Sequence, residues 1–200
     1  MIKKNYLATF AKSFNWAGFF LPKNTYEECS KLYAFCRILD DVVDSGQDLE
    51  IKKERFNEIK DILKLYKIRF TDNENMLIVN DMLILTENKN IKKIILDDLI
   101  DGIESDLKKE VNFTTVKELL IYSYRVAGTV GLMMAKILSV KDSRALKGAI
   151  DLGIAMQLTN IARDVIEDQK IGRKYIEKDF KNIKATLQLA DTFYESSFSS

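Results

Sequence analysis

The sequence predicts an all-α protein, a bundle of several helices, on three observations. Nearly every segment carries apolar residues at the three- and four-residue spacing of a helix face. Alternating strand-like runs bounded by turn residues are absent, and no repeat period is visible. One proline and eight glycines interrupt 200 residues, too few for a proline-rich linker or a low-complexity chain.

The elements follow in order. Pro22-Lys23-Asn24-Thr25 reads as a helix start, with Asn24 or Thr25 as the cap and Glu27 or Glu28 three residues on. That helix runs through Tyr26, Tyr33, Phe35, Ile38 and Val42 to Asp44, where Ser45-Gly46 stops it. A second spans Leu49 to Lys67, with Ile51, Phe56, Ile59, Leu63 and Tyr66 near helical spacing. A third covers Asn75–Leu85 and a fourth Ile91–Leu107. Phe113-Thr114-Thr115 leads into a long helix from Val116 to Ser139. Lys141–Asp168 and Glu177–Tyr194 complete the set. The length suits a single domain over 1–200.

Composition narrows the chemistry. Thirty-one basic against thirty acidic residues leave a net charge of +1, so no global grip on nucleic acid is expected. The chain has no histidine, which removes Ser-His-Asp and Cys-His catalysis and histidine-zinc sites. Cys29 and Cys36 on one helix would stand roughly 10 Å apart along its axis, too far for a disulfide, and read as reduced thiols near the core. No apolar run approaches the ~20 residues of a membrane span, and the N-terminus does not read as a secretory signal. A cytoplasmic monomer is expected, with room for peripheral contact with a membrane surface.

Two acidic clusters carry the chemistry. In Asp40-Asp41-Val42-Val43-Asp44, Asp40 and Asp44 share one helical face. They repel each other at the negative end of the helix dipole, a cost that a divalent cation would offset. In the second, Asn160, Asp164 and Asp168 recur every four residues with Gln157 close to the stripe, flanked by apolar Ile154, Ala155, Leu158 and Ile161. Oxygen-only ligands indicate a hard ion such as Mg²⁺, with Mn²⁺ as the alternative. The plainer reading of either cluster is a solvated helix face. Asp97-Asp98-Leu99-Ile100-Asp101 repeats the spacing of the first cluster and cannot be rejected on pattern alone.

Arg37, Arg163 and Arg173 stand beside these segments and could grip diphosphate oxygens, although plain ion pairs are the commoner role. Tyr33 and Tyr122 could offer ring faces to a carbocation, or could simply fill the core. Gly128 and Gly131 inside a helical pattern each cost about 1 kcal/mol relative to alanine, which implies close approach to the backbone. That approach belongs either to a neighbouring helix or to a long apolar ligand in a groove, and Gly153 fits both.

Taken together, these blocks resemble the squalene/phytoene synthase family. The resemblance runs through Lys12-Ser13-Phe14, Leu21-Pro22, Tyr33–Arg37 with Asp40–Asp44, Leu99–Ile103, Tyr122–Met133, Gln157–Asp168 and Gly172–Tyr175, in order. It implies an isoprenoid-synthase bundle with a central cavity. It also implies a prenyltransferase of the geranylgeranyl-diphosphate geranylgeranyltransferase type. Two geranylgeranyl diphosphates would condense to prephytoene diphosphate and rearrange to phytoene, in carotenoid biosynthesis.

By the same resemblance Asp40, Asp44, Asn160, Asp164 and Asp168 hold Mg²⁺, and Tyr33 and Tyr122 line the reaction centre. Ser13, Arg37, Gln157, Asn160, Arg163, Arg173 and Tyr175 bind the isoprenyl diphosphate. Asp101 falls in a different family block, which sets the Asp97–Asp101 repeat apart. The Tyr124–Met133 block looks closer to the phytoene branch, so no NADPH is expected.

Three departures stand out. Ala11 replaces a serine common in the family, the stretch between Tyr175 and Ala185 is short, and Ser200 ends the chain where members continue through further helices. The expectation is a domain incomplete at its C-terminus. The alternatives are a squalene or dehydrosqualene synthase acting on farnesyl diphosphate, and a non-catalytic relative serving as a scaffold.

Overall fold

Pro22 opens the first helix described. Its φ of −53° and ψ of 142° turn the chain in, and its carbonyl accepts the Tyr26 N–H at 2.9 Å. Asn24 and Thr25, expected as caps, therefore lie inside the first turn, because the proline backbone already supplies the geometry a cap provides. The computed structural model describes residue 18, residues 20–68 and residues 71–199. Two compact units divide it, Met1–Ile91 and Lys92–Ser200.

The first unit holds α1 (Lys23–Asp44), α2 (Leu49–Leu65) and α3 (Glu74–Asn88). Each helix packs on the other two. Leu32, Phe35 and Leu39 of α1, Phe56 and Ile59 of α2, and Met82 and Leu83 of α3 are among its fully buried side chains. Ion pairs Lys31–Asp81, at 3.3 Å, and Glu28–Lys89, at 2.6 Å, join α1 to α3 and to the residue that caps it. α2 stops two residues short of the expected Lys67, because Tyr66 enters the left-handed region at φ 48°. Its hydroxyl meets Thr86 Oγ1 at 2.8 Å.

The second unit holds α4 (Lys93–Glu104) with a 3₁₀ turn (Ser105–Leu107), β1 (Val111–Asn112), α5 (Val116–Ser123), a π turn (Tyr124–Gly128), α6 (Thr129–Ile137), α7 (Ser143–Lys170), β2 (Arg173–Lys174) and α8 (Phe180–Phe198). The expected long helix from Val116 to Ser139 is thus broken by the π turn, where the Thr129 N–H reaches back five residues to the Tyr124 carbonyl. α7 is the spine, with α8, α6 and the π turn packed along it.

The glycines of this region admit a helix, not a groove. A Cβ on Gly131 would lie 2.1 Å from the Ala149 carbonyl, and one on Gly153 would lie 2.3 Å from that of Ala127. The backbones of α6 and the π turn themselves make the close approach to α7.

The sequence reading also missed two short strands. Val111 pairs with Arg173 and Asn112 with Lys174 in a parallel two-strand ladder. Two residues are too few to show alternation. Gly172 makes the pairing possible: its φ of +81° suits glycine, and its carbonyl accepts the Val111 N–H at 2.9 Å. α8 likewise begins at Phe180, later than the expected Glu177, because Asp179 caps it through the Asn182 N–H at 2.8 Å. Among the described residues no helix is long and apolar enough to cross a membrane.

Candidate active site: two acidic helix stripes and a tyrosine–aspartate cluster

The first unit carries the Asp40–Asp44 stripe at the C-terminal end of α1, where Asp40, Asp41 and Asp44 are all exposed. The protein itself supplies part of the compensation that end requires. Lys52 donates its ammonium to the Val43 carbonyl at 2.9 Å, and Ser45 Oγ donates to the Val42 carbonyl at 3.0 Å. Arg37 Nη2 contacts Asp41 Oδ1 at 2.7 Å. Tyr33 is half-buried on the same helix; burial, with Asp40 and Asp41 nearby, pushes its phenol up while Arg37 pulls it down. Burial and Asp40 raise the Cys36 thiol to about 12, so it is not a nucleophile at neutral pH. Cys29 and Cys36 are both free. Ser13 lies outside the described residues.

The second unit carries the other stripe on α7. Leu158, Ile161 and Val165 are buried, and Gln157, Asn160, Asp164 and Asp168 between them are half-buried. Arg163, exposed, forks onto its neighbour: Nε donates to Asp164 Oδ1 at 2.6 Å and Nη2 to Oδ2 at 2.5 Å. This hydrogen bonding holds the Asp164 carboxyl below the usual range, so it stands ionised.

Beyond the stripe, the apolar face of α7 packs against an aromatic cluster. Tyr122 of α5 and Tyr175, which follows β2, are both buried. Their rings stack with centroids 4.8 Å apart, and Phe113 sits 5.4 Å from each. Their hydroxyls converge on Asp106. Arg173 is half-buried in β2.

The Asp97–Asp101 repeat is accounted for by local partners. Lys93 holds Asp97 at 2.7 Å, the Tyr124 hydroxyl donates to Asp98 at 3.1 Å, and Arg125 lies 3.6 Å from Asp101.

Sequence reasoning missed Asp106 and also Asp151. Asp151 is buried on α7, where it takes the Lys147 ammonium and the Ser196 hydroxyl, each at 2.6 Å. Each reads locally as one more acid in a helix, because the partners that distinguish it are 16 to 69 residues away.

The donor set fits a hard cation of a particular kind. Among the described residues no three acidic or thiol side chains stand close enough to form a closed metal cage. Carboxylates spaced along a helix, one of them held ionised by arginine, suit an ion that keeps waters and completes its shell with phosphate oxygens, as Mg²⁺ does.

The chain is 35% identical over 175 residues to the 15-cis-phytoene synthase of Paracoccus sp., covering 85% of this chain and 57% of that protein. It is 36% identical over 170 residues to the 4,4'-diapophytoene synthase of Staphylococcus haemolyticus, covering 84% of this chain and 59% of that one. The chain thus spans less than two thirds of the length of these relatives. A crystal structure of a dehydrosqualene synthase in complex with ligand superposes with a TM-score of 0.76 at 28% identity, over 96% of this chain and 73% of that one. The squalene/phytoene synthase family model matches residues 7–193. With the family model, the relatives and the fold in agreement, the chain belongs to the squalene/phytoene synthase family.

Proposed function

We propose that this protein is a phytoene-synthase-type prenyltransferase, condensing two geranylgeranyl diphosphates through prephytoene diphosphate to phytoene. The observation that carries the reading is the Asn160–Asp164–Asp168 stripe with the Arg163 fork, set on a helix whose other face is apolar. It sets a binding edge for charge beside a dry apolar core.

Diphosphate is the leaving group, so catalysis means neutralising its charge as it departs. Asp40, Asp44, Asn160, Asp164 and Asp168 would hold Mg²⁺, which supplies that neutralisation when bound. Arg37 and Arg163 carry guanidinium forks that match diphosphate oxygens bidentately. To do so Arg163 must leave Asp164, which frees the carboxylate for its own ligand. Gln157 and Asn160 add hydrogen bonds from the same stripe. Tyr33 and Tyr122 offer ring faces to an allylic cation. Water must be excluded from that cation, which buried Leu158, Ile161 and Val165 favour on the α7 side. Ending the reaction by proton loss needs no hydride donor, so no NADPH is required.

A second reading, a dehydrosqualene synthase using farnesyl diphosphate, is favoured by the 36% identity to a 4,4'-diapophytoene synthase. One experiment separates the two. The protein is incubated with geranylgeranyl or farnesyl diphosphate and Mg²⁺, with and without NADPH, and the products are analysed. A C40 hydrocarbon formed without NADPH is expected. An unreduced C30 hydrocarbon supports the second reading, and a reduced C30 product that requires NADPH overturns both. Failure of the chain to bind either diphosphate, with or without Mg²⁺, would leave it a non-catalytic relative.

A further inference from the structure

Asp106 has surroundings that neither stripe explains. It stands half-buried in the 3₁₀ turn after α4. Its Oδ2 accepts the Tyr122 hydroxyl at 2.7 Å and its Oδ1 accepts the Tyr175 hydroxyl at 2.7 Å. The two hydroxyl oxygens lie 2.9 Å apart. The stacked rings, with Phe113 against both, keep the hydroxyls from swinging away. Two phenols and one carboxylate are thus held as a closed triangle against the apolar face of α7.

A phenol in this position is a poor base by itself. Burial first, and then the Asp106 charge, push both Tyr122 and Tyr175 above the ordinary phenol value, so neither rests as phenolate at neutral pH. A phenol whose O–H already points at a carboxylate behaves differently. Its oxygen can receive a proton while its own passes on, and the net acceptor is the carboxylate.

We propose that Asp106 is the positioning residue and final proton acceptor of the Tyr122–Tyr175 hydroxyl pair in the condensation described above, and the inference rests on that reading. In the condensation an allylic cation adds to a double bond of the second prenyl chain, and the adduct must lose a proton. The C–H bond breaks and its electron pair forms the next carbon–carbon bond. The proton goes to the Tyr122 oxygen, and the Tyr122 O–H proton moves to Asp106 Oδ2. Tyr175 holds the other carboxylate oxygen, which keeps Oδ2 aimed at Tyr122. Half-buried Asp106 returns the proton to water between turnovers.

Asp106→Asn tests this with two independent readouts. In near-ultraviolet absorbance of the folded chain at neutral pH, D106N shifts the bands of two tyrosines whose hydroxyls lose their carboxylate acceptor, and Y122F and Y175F identify them. In turnover with the prenyl diphosphate and Mg²⁺, D106N lowers kcat by about 10²–10³-fold, the range for a lost acid–base group, with KM within about threefold. On a Y122F/Y175F background D106N lowers kcat no further, because the proposed proton transfer runs through those hydroxyls. Asp106→Glu keeps the charge and recovers part of the loss; should D106N not fold, D106E still lowers kcat without raising KM.

An unchanged tyrosine spectrum in D106N, an unchanged kcat in either variant, or an equal loss on the double-Phe background overturns the proposal. If the wild-type chain releases no diphosphate from any prenyl diphosphate, the condensation reading falls and takes this role with it. If only the variants behave like wild type, the role of Asp106 falls alone.

Discussion

Arg163 closes both Nε and Nη2 onto the carboxylate of the residue that follows it, Asp164, at 2.6 and 2.5 Å. The fork occupies both oxygens that the proposed metal would use, and it keeps them ionised. On the proposed reading Arg163 would have to let go of Asp164 before a metal could bind there.

Asp164→Asn, and independently Asp40→Asn, are expected to abolish Mg²⁺-dependent diphosphate binding in calorimetry while the helical circular dichroism stays at the wild-type level. Retained metal-dependent binding in both variants would remove the metal assignment. The pH dependence follows from the sign of the shift. The Asp164 value is depressed by Arg163, so its favourable pairing is present above the ordinary carboxylate value and is lost as pH falls through the lowered one. Arg163→Ala lets Asp164 rise towards its ordinary value, so metal-dependent binding should weaken near pH about 4 more than in wild type.

The start of α5 gives a second measurement. Thr115 and Glu118 form a reciprocal capping box, with the Glu118 N–H on Thr115 Oγ1 at 3.2 Å and the Thr115 N–H on Glu118 Oε2 at 2.9 Å. Thr115→Ala should cost about 1 kcal/mol in urea denaturation. Hydrogen bonds from Thr114 and Thr115 hold the Glu118 carboxyl low, so its contribution stands above the ordinary glutamate value and disappears as pH falls through the lowered one. Glu118→Gln should accordingly flatten the acid side of the stability curve. A curve parallel to wild type would mean that the box is not formed in solution.

Helix contact at α6 and α7 is tested by the smallest possible insertion. Gly131→Ala and Gly153→Ala each place a methyl group against a carbonyl of the facing segment. Backbone cannot rotate aside as a side chain can, so each should destabilise by about 1–3 kcal/mol, the usual range for overpacking. A loss under about 0.5 kcal/mol at both positions, within the range of neutral surface changes, would show that the helices stand further apart.

The far end of α8 is fastened by buried Asp151. Its Oδ2 receives Lys147 Nζ and Ser196 Oγ, and Lys147 also donates to Ser196 at 2.9 Å. Ser196→Ala should cost about 1 kcal/mol, as for a typical hydrogen bond. Asp151→Ala should speed amide exchange over the last two turns of α8 with little effect at its first turn. Uniform exchange along α8 would contradict a local fastening.

How much of this was legible in the sequence depends on the range of the interaction. The Asn160–Asp164–Asp168 stripe was legible because a helix projects every fourth side chain onto one face, which is a local rule. The π turn at Tyr124–Gly128 was not, since its five-residue hydrogen bond arises inside a run whose apolar spacing reads as ordinary helix. Pro22 displaced the expected caps because proline geometry acts through the backbone, whereas Asn24 and Thr25 advertise themselves by side chain. Asp106 carried no local signal at all. Its meaning comes from Tyr122 and Tyr175, and only folding brings those hydroxyls to it.

The two-residue ladder between β1 and β2 also sets an order of events. It carries Tyr175 to a carboxylate 69 positions earlier in the chain. Closing so long a loop costs entropy before the hydroxyl contacts return anything, while the helices need only neighbours in sequence. The second unit therefore acquires its helices first and its polar triangle afterwards. The reverse holds on opening: lifting β2 from β1 parts the tyrosines and leaves the helical content intact. A full helical spectrum thus certifies the bundle and says nothing of the triangle. The assembled state is reported by slow exchange at the Val111 and Phe113 amides, whose hydrogen bonds to Gly172 and Lys174 form only when the ladder is closed.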